Sequence, residues 1–307
     1  MDTLPYLWWG ALSQNRGGIG VGVRLSELIA ICRREMAGVR GAAPGEAEIL
    51  VSAVTGIPRS RLFLSMDDDV GDASARLLPR IARRAGGEPL QYVLGAWDFF
   101  GREFLLSPDT LIPRPETEGL ASLAVAALRR FPAERPIALD VGTGSGAIAV
   151  TLAAEVSTAR VVATDISPGA LRKARENATR HGVADRVFPV CTDLLSALKC
   201  GVLFAVVVSN PPYVAEGEWS LLPPEVRNHE PRGALLAGRD GLSVLRPLVA
   251  GAAGILSPGG EFWCEIGASQ GDAASALPCG SLRPLGIFPD LAGRDRYIGW
   301  EKPGRER

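Results

Sequence analysis

The chain has 307 residues, of which 47% are hydrophobic and 22% are charged, and its formal net charge is −1. This length and composition are typical of one large or two ordinary globular domains with a substantial core. The balanced charge lacks the basic excess of proteins that bind nucleic-acid phosphates, so we do not expect direct nucleic-acid binding. No apolar run approaches the roughly 18 residues of a membrane span, and the start lacks the basic region of a signal peptide. We therefore expect a cytoplasmic protein without a membrane partner.

The cysteines and histidines do not form a metal-binding pattern. The five cysteines contain no C-x-x-C pair, and the two histidines lie far apart in the sequence. We therefore predict reduced thiols and no metal site. The cysteines are Cys32, Cys191, Cys200, Cys264 and Cys279.

The beginning of the chain predicts an extension followed by a small helical domain, which we expect to recognise the substrate. Residues 1–24 include a glycine-rich stretch and are predicted to be a flexible N-terminal extension. Residues 25–86 show helical spacing of apolar residues, and Ser26 is placed to cap the first helix. The last helix of this domain ends in Arg83 and Arg84, which we predict to be solvated.

The next segment has the character of β-strands. Residues 87–112 carry aromatic and β-branched side chains, among them Tyr92 and Val93, around Gly95 and Gly101. This pattern is typical of a β-hairpin, and we predict that it links the helical domain to the remainder of the chain.

Residues 113–307 alternate between strand and helix patterns, which predicts an α/β domain with a parallel sheet. The predicted helices cover residues 116–130, 168–181 and 242–256, with another that begins near residue 146. The predicted strands cover residues 137–140, 160–164, 187–191, 203–209 and 261–266, with a last strand near residue 300.

The most informative segment is a run of valines that stops at Asn210-Pro211-Pro212-Tyr213. It predicts a buried strand and a rigid loop at the edge where open α/β sheets bind ligands. Prolines lack an N–H group, so the loop presents carbonyl oxygens, and Asn210 adds an amide oxygen. With the aromatic face of Tyr213, these acceptors suit a planar NH2 group. The alternative is a plain strand-to-turn junction, because Asn-Pro commonly begins a turn.

A glycine loop lies between a predicted strand and a predicted helix. Its residues are Gly142, Thr143, Gly144, Ser145 and Gly146. Glycines allow a tight turn and bring backbone N–H groups close to a ligand at a helix N-terminus. The G-x-G-x-G spacing is shared by several nucleoside-binding families, and a tight turn without a ligand is the alternative.

Acidic residues follow the next two predicted strands. Asp165 ends the second strand, where a carboxylate can accept hydrogen bonds from both hydroxyls of a ribose. Asp193 follows the third strand and can accept from an adenine amino group, with Leu194 packed on the ring. An ordinary surface role for Asp165 and a helix cap at Asp193 are the alternatives. The order of these features fits S-adenosylmethionine better than NAD, because nothing in the sequence resembles a hydride-transfer site.

Several longer motifs resemble the PrmC/HemK family of peptide chain release factor N5-glutamine methyltransferases. The resemblance covers the chain from about residue 25 to its end, whereas the first 20 residues differ. The motifs are GGEPLQY at 86–92, LIPRPETE at 111–118, the glycine loop, NPPY at 210–213, EP at 230–231 and DLAGRDR at 290–296.

The resemblance implies an α/β fold with a class I (Rossmann-like) methyltransferase sheet, a small N-terminal helical domain and a β-hairpin linker. It implies that residues 142–146, Asp165 and the Leu194 position bind S-adenosylmethionine, which becomes S-adenosylhomocysteine. We expect Asp193 and Asn210 to contribute to the same site. Some family members carry Trp at the Leu194 position, so base stacking is expected to be weaker here.

The resemblance also implies the substrate, which is the glutamine of the Gly-Gly-Gln loop in a class I peptide chain release factor. Asn210, Pro211, Pro212 and Tyr213 are expected to hold that glutamine. We assign the catalytic role to Asn210 and the Pro211 carbonyl, which together accept both N–H bonds of the glutamine amide. Two alternatives remain open, namely a nucleic-acid amine methyltransferase and a non-catalytic module that kept the fold.

Overall fold

The computed structural model describes residues 22–39, 41–198 and 203–304. These residues divide into two compact units, one that ends at Gly87 and one that begins at Glu88. Residues 1–21 of the predicted extension lie outside the described residues. Residues 88–112 of the predicted hairpin belong to the larger unit, whereas Gly87 ends the smaller one. The boundary between linker and catalytic domain stays a prediction.

The smaller unit is helical, as its apolar spacing predicts. Its elements are α1 (Leu25–Met36), α2 (Glu46–Thr55), a 3₁₀ helix (Arg59–Ser65) and α3 (Ala73–Ala85). The prediction that Ser26 caps α1 is wrong, because the helix begins at Leu25 and its N-cap residue is Arg24. The Glu27 carboxylate accepts a hydrogen bond from the Arg24 backbone N–H at 3.3 Å and thereby takes over the capping role.

The basic end of α3 does not lie entirely in solvent. Arg84 is 1% exposed, so the prediction that it is solvated is wrong. Its guanidinium donates to both carboxylate oxygens of Glu46 at 2.8 and 3.2 Å and to the Gly41 carbonyl at 3.0 Å. The ion pair joins α3 to the start of α2, and the buried charge is tolerated because its donors have acceptors.

The larger unit begins with a short helix where the sequence predicts strand. Tyr92 and Val93 lie in α4 (Leu90–Leu94), so their assignment to the hairpin is wrong. Pro89 precedes the helix and Gly95 ends it with φ +78°, which are favourable helix boundaries. The hairpin itself is formed by β1 (Ala96–Phe99) and β2 (Arg102–Leu105), which pair antiparallel.

Among the described residues, seven strands form one sheet with the order β5-β4-β3-β6-β7-β9-β8. The first five strands in that order are mutually parallel, and β9 pairs antiparallel with both β7 and β8. The strands are β3 (Ile137–Val141), β4 (Arg160–Asp165), β5 (Val187–Cys191), β6 (Phe204–Ser209), β7 (Leu256–Glu265), β8 (Arg283–Pro289) and β9 (Asp295–Glu301). The sequence interpretation missed β8, in which every residue is half-buried or exposed, so that no apolar run marks the strand.

Helices cover both faces of this sheet. They are α5 (Pro115–Arg130), α6 (Ala147–Glu155), α7 (Pro168–Arg180), α8 (Pro224–His229), α9 (Leu245–Ile255) and α10 (Gly271–Ser275). The central strand β6 is buried along its whole length. Val206 and Val208 pack into the core on one face of the sheet, whereas Val207 packs into the core on the other. This two-sided burial explains why β6 reads as a continuous apolar run.

The sheet order creates a crevice at one edge. From β3 the chain proceeds outward through β4 to β5, and β6 then returns to the opposite side of β3. Val141 at the end of β3 is level with Thr164 in β4 and with Ser209 in β6. The loops that leave β3 and β6 therefore diverge, which is where open α/β sheets bind ligands.

None of the helices in the described part of the chain is both long enough and apolar enough to cross a membrane.

The Arg84–Glu46 pair gives a stability prediction. Arg84→Ala leaves the Glu46 carboxylate buried without its guanidinium, which costs on the order of 3–5 kcal/mol. We expect faster amide hydrogen exchange in α1 and α2, which reports on the helical unit by itself.

Arg76→Ala is the matched control on the same helix. Arg76 and Asp72 are 3.6 Å apart with side chains 56% and 83% exposed, so their pair contributes only about 0.2–1 kcal/mol. Equal exchange rates in the two variants would contradict the structural role of the buried pair.

Candidate active site

A cavity of about 480 Å³ opens at the carboxyl ends of β3, β4, β5 and β6. Its volume lies within the range of small-molecule sites. Predicted site residues that line it are Gly142, Thr143, Gly144, Ser145, Asp165, Asp193, Leu194, Asn210 and Pro212. Gly146, Pro211 and Tyr213 do not line this cavity, although they belong to the same loops.

The glycine loop curves around one side of the cavity. Gly142, Gly144 and Gly146 all have positive φ, at +73°, +55° and +82°. A Cβ on Gly142 or Gly144 would meet no other atom within 4 Å, so both open onto free space. At Gly146 a Cβ would lie 3.0 Å from the Ala174 Cα, so only glycine lets α6 start this close to α7.

A buried carboxylate supports the loop from below. Asp140 is 0% exposed and accepts from the Thr143 hydroxyl at 2.6 Å and from the Ala149 N–H at 3.1 Å. Its other oxygen has no hydrogen-bond partner. Burial raises the pKa of Asp140 to about 7, although its two hydrogen bonds act in the opposite direction. Asp140 thus joins the end of β3 to the loop and to the first turn of α6.

Asp165 connects the glycine loop to the end of β4. One carboxylate oxygen accepts from the Gly144 N–H and the other from the Ser167 N–H, each at 2.9 Å. An ionised carboxylate has about four acceptor positions, so Asp165 retains capacity for donors within the cavity. These bonds fix the carboxylate at the cavity wall.

The segment after β5 is less constrained by hydrogen bonds. Asp193 is exposed, and its backbone carbonyl accepts from the Ser196 N–H at 3.0 Å. Leu194 is half-buried and has φ +46°, which is uncommon for a residue with a branched side chain. Both residues line the cavity, and their base-binding role stays a prediction.

Asn210 lies at the end of β6 and is fixed by side chains from two other elements. Its amide Nδ2 donates to the Thr117 hydroxyl at 2.9 Å, and that hydroxyl donates to Glu265 Oε2 at 2.8 Å. The Asn210 amide oxygen is left as an acceptor. In the same loop, the Tyr213 carbonyl accepts from Gln270 Nε2 at 2.9 Å. Burial and the nearby Glu265 raise the pKa of the Tyr213 phenol, so it stays protonated.

Within the described ranges, no cluster of three or more His, Cys, Asp or Glu side chains is arranged to hold a metal ion. The site residues are acceptors, backbone N–H groups and apolar side chains, which suit an organic ligand.

Two family models match the chain. The PrmC N-terminal domain matches residues 27–95, and the methyltransferase small domain matches residues 123–222. The release factor glutamine methyltransferase of Moorella thermoacetica is 44% identical over 255 residues, which cover 82% of this chain and 88% of the relative. That of Cereibacter sphaeroides is 42% identical over 278 residues, or 89% of this chain and 96% of the relative. The chain belongs to the release factor glutamine methyltransferase family.

Membership of this family confirms the resemblance that the sequence motifs indicated. A solved structure, the hMettl16 catalytic domain in complex with MAT2A 3′UTR hairpin 6, matches with a TM-score of 0.53 and 16% identity. The match covers 74% of this chain and 84% of that structure. At this identity it shows a shared fold alone, and it agrees with the predicted class I methyltransferase sheet.

In this family member, sequence reasoning missed three polar residues that organise the site. Thr117 hydrogen-bonds to both Asn210 and Glu265, and Glu230 is 5% exposed. Glu230 accepts from the Ile112 N–H at 3.2 Å and pairs with Arg114. Thr117 and Glu230 lie within motifs on which the resemblance rests. Those motifs single out the two residues but do not indicate what they do. For Glu265, the only sequence signal is its position at the end of a strand.

Proposed function

We propose that this protein transfers a methyl group from S-adenosylmethionine to the side-chain amide nitrogen of a glutamine. The target is the glutamine of the Gly-Gly-Gln loop in class I peptide chain release factors. Relatives 42–44% identical over most of the chain are release factor glutamine methyltransferases. The observation that carries the proposal is that Asn210 and the glycine loop line one cavity. Because release factors act in translation termination, we place the activity there and in the cytoplasm.

The cavity suits S-adenosylmethionine on three counts. Its volume accommodates a ligand of this size. Gly142 and Gly144 open onto free space where side chains would intrude. Asp165 keeps acceptor positions for a ribose diol at the cavity wall. When bound, S-adenosylmethionine supplies an electrophilic methyl group on a sulfonium and is left as S-adenosylhomocysteine.

The proposed role of the Asn210 loop is to position an amide nitrogen, which is a poor nucleophile. The nitrogen lone pair of a glutamine side chain is delocalised into its carbonyl, so the nitrogen must be held in line with the methyl group. We assign the two acceptors to the Asn210 amide oxygen and the Pro211 backbone carbonyl. Each accepts one N–H of the glutamine, which also favours the positive charge that develops on nitrogen. The proton then leaves to water, so no strong base is needed.

The decisive experiment is mass spectrometry of a purified class I release factor after incubation with this protein and S-adenosylmethionine. We expect one added methyl group on the peptide that contains Gly-Gly-Gln. A parallel incubation with RNA and DNA tests the alternative substrate class. Methylation of nucleic acid alone, or of neither substrate, would overturn the proposal.

Asp165→Ala tests the cofactor site. Loss of two hydroxyl–carboxylate hydrogen bonds, each worth roughly 1.5–3 kcal/mol, weakens S-adenosylmethionine binding by about 100-fold or more. Isothermal titration measures the dissociation constant. Asp185→Ala, an exposed aspartate after α7, is the control and should bind normally. Normal binding by Asp165→Ala would show that the ribose lies elsewhere.

Asn210→Ala tests the amide-holding role. Removal of one oriented acceptor is expected to lower the rate of methyl transfer on the order of 10²-fold or more. The melting temperature should change little, because Asn210 is only half-buried. Cofactor binding should weaken much less than the rate falls, because the glycine loop and Asp165 remain in the cavity wall. Single-turnover kinetics at saturating cofactor measure the effect, and a near-normal rate would refute the assigned role.

The helical unit carries a candidate surface for the release factor. Specific protein interfaces bury about 1,200–2,000 Å² in total, more than one glutamine loop provides. Phe63 and Leu64 are adjacent on the 3₁₀ helix and are 83% and 81% exposed. Adjacent exposed apolar side chains are typical of interface anchors. We propose that this pair contacts the release factor.

The double variant Phe63→Ser, Leu64→Ser tests that contact in the full chain. We expect KM for intact release factor to rise roughly tenfold or more, whereas a short Gly-Gly-Gln peptide is methylated normally. Leu291→Ser, which removes a fully exposed leucine from the other unit, is the control. An unchanged KM for intact release factor would remove the pair from the interface.

A further inference from the structure

Three polar side chains form a continuous hydrogen-bonded chain below the Asn210 loop. Glu265 ends β7, Thr117 lies in the first turn of α5, and Asn210 follows β6. Glu265 and Thr117 are 1% and 4% exposed. The hydrogen bonds measure 2.8 Å from Thr117 to Glu265 and 2.9 Å from Asn210 to Thr117. The chain thus connects three elements that meet at the crevice.

The direction of these hydrogen bonds follows from what each group can donate. An ionised carboxylate only accepts, so Glu265 takes the single hydroxyl proton of Thr117. The Thr117 oxygen then offers only lone pairs to its other neighbour. Asn210 must therefore present its NH2 group to Thr117, and its amide oxygen must point the opposite way.

Packing by itself does not fix this orientation. The two ends of an Asn amide are nearly the same size, and a half-turn about the last side-chain bond exchanges them. The reversed amide would present two donors to a substrate NH2 group that also only donates. That arrangement leaves the substrate nitrogen without its acceptor and opposes binding.

We propose that Thr117 and Glu265 are positioning residues that hold the Asn210 amide oxygen toward the substrate amide. The inference rests on the proposed function, because orientation matters only if Asn210 accepts from a substrate N–H. Neither residue touches the reacting atoms in this role. Both act through the direction of one amide group.

The hydrogen bonds from Asn210 through Thr117 to Glu265 also predict that activity depends on pH. Burial raises the pKa of Glu265 to about 7, because the charged form is poorly solvated. A protonated carboxyl can donate to Thr117, which frees the Thr117 proton and permits the reversed amide. Activity should therefore fall as the pH drops through about 7. Charged or titratable groups around Glu265 are Arg114, Glu116, Tyr213, Cys264, Arg296 and Tyr297.

The first test compares Thr117→Val with Thr117→Ser in the full-length protein. Valine keeps the shape and removes the hydroxyl, so we expect kcat for release factor methylation to fall roughly 10- to 100-fold. Serine keeps the hydroxyl and should retain most of the rate. S-adenosylmethionine binding, measured by titration, should change far less than kcat in both, although Thr117 lies in the cavity wall. Equal rates for the valine and wild-type proteins would overturn the proposal.

The second test uses Glu265→Gln and the pH profile of kcat at saturating cofactor. The wild-type profile should lose activity below about pH 7, whereas the glutamine variant should be slower and lack this limb. A limb that persists in Glu265→Gln would assign the titration to another group, such as Asp140, and refute the role of Glu265. An inactive wild-type protein would instead contradict the proposed function, so the two failures are distinguishable.

Discussion

The site depends on the parallel pairing of β3 with β4 on one side and with β6 on the other. Because neighbouring chain segments leave these strands in opposite directions, their loops separate and a crevice forms between them. The predicted site residues all lie at or after the carboxyl end of a strand, and the order of the sheet brings those ends together. Residues that are 68 positions apart, such as Val141 and Ser209, become adjacent. The strand order alone therefore locates the predicted site residues at one edge of the sheet.

The buried carboxylates beneath the loops oppose stability and yet set the geometry of the site. Burial raises the pKa of both Asp140 and Glu265 to about 7. A carboxyl whose folded pKa exceeds its unfolded value releases its proton more readily on unfolding, so the folded state loses stability as pH rises between the two values. For Glu265, ionisation is also the state that orients Asn210. Folding thus favours the protonated carboxyl and the proposed chemistry favours the ionised one, which is a conflict typical of functional sites.

The sequence predicts the features that arise from local pattern. The apolar run of β6, the glycine loop and the β-α alternation each depend on neighbouring residues, and the structure contains all of them. The failures come from partners that are distant in sequence. Burial of Arg84 is tolerated because Glu46, 38 positions away, accepts hydrogen bonds from its guanidinium, and no helical pattern reveals that pairing. Thr117 lies 93 positions from Asn210 and 148 from Glu265, so the hydrogen bonds that join them can be recognised only in the folded structure. The roles of the site residues stay predictions.

The amide-holding role that we propose for the Asn210 loop does not by itself select a substrate. Two acceptors complement any planar NH2 group, whether on a glutamine side chain or on a nucleic-acid base, because both present the same pair of N–H bonds. Selection must therefore come from groups that surround the loop. Here the segment from Ile112 to Thr117 is tied to Glu230 at one end and to Asn210 at the other. That segment is one of the motifs that identify the release factor enzymes rather than the base-modifying ones. Under the proposed roles, the walls of the crevice select the substrate class, whereas the loop determines which bond is formed.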